Sequence, residues 1–373
     1  MQIDVTRLAP ITMLLAITVN AAAATTEPVV STLAPEVLTG DAASTWEGPQ
    51  IVRADRAGNV YLLRADTLQV YPLTSADKLA EPQQLEVTGE LPQLVRNAAL
   101  SPGGNVWLLS VDLTLRRFVD AKEKVVPALD WRISGLGFLR DEPLVSFLPL
   151  PVAWDQVYRE RQGRIPRLMT FDGNRWNVLA EYPNLPASEV FEKRPDLNGA
   201  LSEHSAFVAA DREGRLWIAR QYAYDVEQLT TSGKQRIHLV VNGGKVEERK
   251  ADGEAKDRPA GLTAFRSQAA ILDLVEGRDH RMYFLATGSG ADGGLVLDRY
   301  DPVTSELQRV SLTLRLPGRA TLAAGKKGLY LAAWNGRGGR WFLSWDALEL
   351  AGWRPVPNAE IFPSPPKSPP AAN

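Results

Sequence analysis

The chain has 373 residues, 45% of them hydrophobic, which is ample for a sizeable core. Its 42 lysines and arginines nearly balance 44 aspartates and glutamates, and a net charge of -2 gives no electrostatic basis for binding nucleic acid or an anionic membrane. It has no cysteine, which excludes disulfides, thiolate metal sites and a cysteine nucleophile, and three histidines, His204, His238 and His280.

Residues 1–24 read as a secretory signal peptide. Arg7 precedes the apolar run 8–19, and the small residues Ala21, Ala22, Ala23 and Ala24 follow it. The run is too short to span a bilayer comfortably. Cleavage near Ala23 or Ala24 would leave an exported protein, periplasmic or secreted, with no membrane span in its mature form. Residues 25–44 read as a leader or linker.

From about residue 45 one unit recurs: a polar turn feeds a short apolar strand with an aromatic in second place. Asp55-Arg56-Ala57-Gly58-Asn59 leads into Val60-Tyr61-Leu62-Leu63, and Ser101-Pro102-Gly103-Gly104-Asn105 into Val106-Trp107-Leu108-Leu109. Asp211-Arg212-Glu213-Gly214-Arg215 precedes Leu216-Trp217-Ile218-Ala219, and further copies place Tyr283 and Tyr330 in the aromatic slot. Gly, Asn and Asp supply the positive-φ positions of hairpin turns. The slots fall at 61, 107, 217, 283 and 330, and the one long step conceals a sixth copy, with Val145 in the slot after Arg140-Asp141-Glu142-Pro143. An apolar strand precedes each turn and two more strands follow. Four strands at roughly 40–50 residues a repeat is the propeller pattern. The expected fold is all-β: a single six-bladed β-propeller over 45–357 with four antiparallel strands per blade. The Pro-rich stretch 358–373 reads as a disordered tail.

The long connections sort to one side. They span 149–166, 182–203, 242–266 and the Gly-rich 287–294, each joining strands two and three of a blade or one blade to the next. Long loops are commonly functional, so one elaborated face over blades three to five is expected to hold a ligand or partner. Trp154, Tyr158, Arg159 and Arg161 mix aromatics with arginines, the residue types that dominate binding hot spots. His204, Arg220, Gln268, Arg319 and Trp334 are expected to rim the axial mouth on that face.

The units Asp55–Leu63 and Asp211–Ala219 resemble the D-x-x-G-x-[ILV]-[WY]-[ILV] core of NHL-repeat and two-component-regulator propellers. That resemblance implies the fold and leaves function open. Glu47-Gly48-Pro49 is similar to the opening of gluconolactonase/regucalcin-like propellers. This second resemblance implies a divalent metal, Ca2+ or another, on Glu47 with Asn97 as a further ligand, and a lactonase-like hydrolase. The chain lacks that family's inner-strand aspartate at the expected starts, where Ser134, His204 and Gln268 stand, and the aspartate of its P-D-G turn.

The leading expectation is an exported, non-enzymatic binding propeller without a cofactor. Its partner would be a protein, peptide or glycan, and the chain a monomer or a subunit of an envelope assembly.

Overall fold

The computed structural model describes residues 32–37, 49–74, 78–89, 95–101, 105–153, 163–194, 196–221, 223–241, 271–287, 294–315, 319–334 and 338–363. The signal-peptide segment lies outside them. Among the described residues no helix is long and apolar enough to cross a membrane.

Two short strands, β1 (Thr32–Leu33) and β2 (Glu36–Val37), come first. Blade one is β3 (Gln50–Ala54), β4 (Val60–Arg64), β5 (Gln69–Pro72) and β6 (Gln83–Gln84). Blade two is β7 (Val95–Leu100), β8 (Val106–Ser110), β9 (Leu115–Val119) and β10 (Lys122–Lys124). Blade three has longer strands: β11 (Trp131–Leu139), β12 (Glu142–Pro151), β13 (Arg164–Phe171) and β14 (Trp176–Pro186). Helices α1 (Ala187–Lys193) and α2 (Leu197–His204) lead to blade four, β15 (Ala206–Ala210), β16 (Leu216–Arg220), β17 (Asp225–Leu229) and β18 (Gln235–Val241). Blade five is β19 (Ile271–Glu276), β20 (Met282–Thr287), β21 (Gly294–Asp301) and β22 (Glu306–Arg315). Blade six has β23 (Arg319–Ala324), β24 (Gly328–Trp334) and β25 (Gly338–Ser344), followed by α3 (Trp345–Leu350), β26 (Arg354–Pro355) and β27 (Ala359–Pro363). Each blade's own strands pair antiparallel in sequence order, giving six sheets. The chain is a six-bladed β-propeller.

The core is divided among the blade interfaces. Leu62 packs toward blade six with Tyr330 and Ala332, whereas its neighbour Leu63 packs toward blade two with Val95 and Leu108. Trp217 packs with Phe284 and Tyr300 of blade five, whereas Ile218 packs with Leu144 and Leu168 of blade three. A second strand therefore buries both faces and reads as a continuous apolar run.

The repeated turn also explains its aromatic slot. Asp211 accepts the Arg215 N–H at 2.8 Å and the buried Trp217 indole N–H at 3.0 Å. Asp55 does the same for the Asn59 N–H at 2.9 Å and the Tyr61 hydroxyl at 3.2 Å. Gly58 and Gly214 hold φ of 76° and 79°, which an L side chain rarely adopts. Aspartate and aromatic are thus one hydrogen-bonded unit, which is why they recur together.

Three segments depart from the sequence expectations. The fourth strand of blade six is β2, from the presumed leader, which pairs antiparallel with β25. Residues after β25 turn into α3, with Ser344 Oγ capping the Ala347 N–H at 3.1 Å. A strand from one terminus closing the last blade leaves its edge paired. Residues 359–363, expected within the disordered tail, form β27, which pairs antiparallel with β18 of blade four. Its Ile361 and Phe362 are β-formers that precede the proline run. β1 and β26 likewise join blade five on β22.

Candidate functional site

The inner strands carry charges where apolar residues are the rule. Arg53 of β3 reaches across the axis to Asp273 of β19, Nη1 to Oδ2 at 2.6 Å. Its Nη2 donates to Asn97 Oδ1 at 2.6 Å and its Nε to the Ala98 carbonyl at 2.7 Å. Asp273 Oδ2 also accepts the Leu322 N–H at 2.8 Å, and Asn97 donates to the Leu136 carbonyl at 3.2 Å. One network thus ties blades one, two, three, five and six together at the axis. Asp273 and Asn97 are each 4% exposed. Gly135 and Gly137 of β11 meet the Ala206 and Val208 carbonyls of β15 so closely that a Cβ would clash. Blades three and four therefore press together on the remaining side.

The end of the axis where the inner strands begin is bridged as well. Arg96 of blade two donates to Ser205 Oγ at 2.5 Å and Gln221 Oε1 at 2.6 Å, both on blade four. The other end is open. A cavity of about 460 Å3 runs from the Arg53–Asp273 pair out to the turns joining strands one and two. Its wall is built from the last residues of the inner strands and its lip from those turns.

A second cavity, of about 290 Å3, lies on blade three. Trp131, Phe147, Met169 and Trp176 form its apolar wall, with Asp130, Arg164 and Glu181 at its charged lip. The connection from blade two covers one side, held by the Trp176 indole N–H on the Pro127 carbonyl at 3.3 Å. Val178, also lining it, is 52% exposed.

Of the residues singled out in the sequence, Glu47, Trp154, Tyr158, Arg159, Arg161 and Gln268 lie outside the described residues. His204 ends α2, its ring edge-on to Tyr182 with centroids 5.3 Å apart. Arg220 ends β16 and pairs with Asp225 at 3.2 Å, and Asp225 also contacts His238 at 2.9 Å. Arg167 meets Glu227 through two bonds of 2.9 and 2.5 Å and stacks over Tyr182. Burial pushes the Tyr182 hydroxyl well above its ordinary value, against the opposing charges of Arg167 and Arg220. Burial also raises Glu227, but the Arg167 hydrogen bond and charge outweigh it and hold that carboxyl below the ordinary range. His204 and Arg220 thus share one neighbourhood around Tyr182. Arg319 and Trp334 are backbone register partners of β23 and β24 on blade six instead. Asn97 lies within the axial network, its carbonyl oxygen on a guanidinium.

Sequence reasoning passed over Arg53 and Asp273. Both stand inside apolar inner strands, Ile51-Val52-Arg53-Ala54 and Ile271-Leu272-Asp273-Leu274. A charge at such a position is rarely buried unless paired, and two of opposite sign on inner strands are the signal that would have found the pair.

No family model matches the chain, and no curated protein does. Among solved structures, it is similar to virginiamycin B lyase from Staphylococcus aureus, with 15% identity over 88% of this chain and 86% of the other and a TM-score of 0.43. It is similar also to a protein of unknown function from Dyadobacter fermentans, with 9% identity, 85% and 98% coverage and a TM-score of 0.46. A third is YCF48 bound to D1 peptide, with 9% identity, 83% and 99% coverage and a TM-score of 0.39. Likeness at this level carries no activity or ligand across to this chain.

Proposed function

We propose that this propeller is an exported, non-catalytic binding protein that holds a protein or peptide partner on the elaborated side of blades three to five. The blade-three cavity is the observation that supports this reading most directly. Its aromatic wall and charged lip suit a side chain of an extended partner. Arg164 on its lip begins β13, which follows closely in sequence the segment with Trp154, Tyr158, Arg159 and Arg161. Leu113, Leu148, Leu150 and Ala200 pack in one cluster. That packing draws the strand-two ends of blades two and three and the helical insertion toward a common surface. The charged groups nearby are held in internal pairs, Arg167 with Glu227 and Arg220 with Asp225, which favours a built surface over a set of free acid and base groups.

The reading takes no metal cofactor. A cation on Asn97 Oδ1 would have to displace the Arg53 guanidinium from it. Elemental analysis of the purified mature protein tests this: a stoichiometric divalent metal lost in Glu47→Gln would restore the hydrolase reading. Binding is tested by capture from an envelope extract. Wild type is expected to retain a partner that Val178→Arg and a deletion of residues 154–162 both lose. An identical profile from all three would reject the blade-three site. Export is checked by N-terminal sequencing of the protein recovered outside the cytoplasm, expected to begin near residue 24 or 25.

A further inference from the structure

The open end of the axis lies on the side of the tight turns, and its lip has a charge pattern that repeats with the blades. Arg56 stands in the turn of blade one, Arg140 in blade three, Arg212 in blade four, Arg278 in blade five and Lys326 in blade six, and all five border the 460 Å3 cavity. All five side chains are exposed. The carboxylates bordering the same cavity are arranged differently. Asp55 and Asp211 are each 6% exposed and are bonded into their own turns, and Asp273 is 4% exposed and bonded to Arg53. The fourth, Glu276, accepts the Arg212 backbone N–H at 2.9 Å, with the Arg212 guanidinium 3.7 Å away.

The acids that line the cavity are therefore turned into the fold and the cations outward, and the exposed Asp141, Glu213 and Asp279 of the same turns lie outside its lining. Arg56 and Arg140 make no hydrogen bond or ion pair among the described residues. Among the described residues the Lys326 ammonium has a neutral partner, Asn59 Oδ1 at 2.8 Å, and no ion pair. Arg278 leans over Trp345 and toward the exposed Glu349 at 3.6 Å. On a molecule with a net charge of -2, this mouth is a local reversal of sign over a low-dielectric funnel, the arrangement that focuses a field on an anion.

The turns that carry these cations are locked to one another. The Lys326 N–H donates to the Gly58 carbonyl at 3.2 Å, locking the turns of blades six and one together. A Cβ on Gly58 would crowd Lys326, so glycine at that position is part of the lock. Arg212 and Glu276 join the turns of blades four and five in the same way. A rim of tight, interlocked turns loses little freedom when a ligand arrives.

We propose that this mouth binds a small multivalent oxyanion, a ligand carrying several carboxylate or phosphate groups, seated on the axis above the Arg53–Asp273 pair. Guanidinium groups recognise carboxylate and phosphate alike by paired N–H donors. The cavity size is that of a small-molecule site rather than of a polymer groove. The site lies at the opposite end of the blades from the partner surface and does not depend on it.

The test is calorimetric titration of the full mature protein with citrate and, separately, with pyrophosphate at low salt, with acetate as the monovalent control. Wild type is expected to bind at least one of the two multivalent anions and to melt at a higher temperature in its presence. The tighter of the two assigns the chemistry. Arg56→Glu with Arg140→Glu is expected to weaken binding by at least about tenfold while leaving the ligand-free melting temperature unchanged. If charge reversal disturbs folding, Arg56→Gln with Arg140→Gln serves instead, with a smaller loss of the same sign. The proposal is overturned if neither multivalent anion binds, if acetate binds equally well, or if a folded double variant binds as wild type does.

Discussion

The two ends of the propeller axis differ in what their arginines do. Where the inner strands begin, Arg96 crosses from blade two to blade four and bridges the axis through Ser205 and Gln221. Where the inner strands end, five basic side chains stand around an open funnel. Between them Arg53 is clamped by Asp273, Asn97 and three backbone carbonyls. The same residue type is a strut at one end, a cross-tie in the middle and, at Arg56 and Arg140, a free charge at the other. The difference lies in burial and partners rather than in the side chain.

The strongest way to break this comparison is at the cross-tie. Asp273→Ala leaves the largely buried Arg53 guanidinium without a counter-ion, and is expected to cost about 3 kcal/mol in a urea-unfolding measurement. A loss under about 1 kcal/mol would mean that the ring does not depend on this pair. Next comes the pressed side of the axis. Gly137→Ala puts a methyl group against the Val208 carbonyl and is expected to destabilise by roughly 1–3 kcal/mol, with blades three and four forced apart. At the bridged end, Arg96→Ala removes the charged donor to Ser205 and Gln221, for about 1–2 kcal/mol. The order Asp273, Gly137, Arg96 is itself the prediction, and a reversed order would show that the Arg96 bridge, not the axial tie, fastens the ring.

A finer test uses pH. Burial raises the Glu276 carboxyl above the ordinary glutamate value, against the lowering effect of Arg212. An acid whose folded value is raised contributes stability that is present below its unfolded value and is lost as pH rises through the folded one. The melting temperature of wild type relative to Glu276→Gln is therefore expected to fall as pH climbs from the ordinary glutamate range upward. A pH-independent difference would show that Glu276 is not desolvated at the lip. The smallest effect is expected at the free charges: Arg56→Glu should change stability by no more than about 0.5 kcal/mol, because nothing in the fold holds that guanidinium. Any large loss there would make Arg56 a strut like Arg96.

The sequence carried the architecture because the architecture is repetitive. Asp211 and Trp217 are joined by a hydrogen bond within one turn, so their spacing recurs wherever the turn does and can be counted. Leu62 and Leu63 face different neighbours, so the second strand stays apolar throughout and marks each blade. These are local rules, legible one repeat at a time. The rim cations obey such a rule too. Arg56, Arg212, Arg278 and Lys326 each stand one residue after the start of the turn, at Asp55, Asp211, Gly277 and Gly325. What that slot means becomes visible only when the turns converge around the axis.

Tertiary structure alone decided the rest. Arg53 and Asp273 are 220 residues apart, and no local pattern pairs them. β2 finds β25 because blade six lacks a fourth strand of its own, and β27 covers the outer edge of β18; neither segment has enough length or periodicity to declare itself a strand. The bridge where the inner strands begin depends on Arg96 reaching a blade two positions away. The sequence by itself determined the number of blades and the alternation of buried faces, since both follow from interactions within a repeat and its immediate neighbours. The cross-tie, the closure of the ring and the open basic funnel arise from contacts that exist only once six repeats have been brought round into a circle.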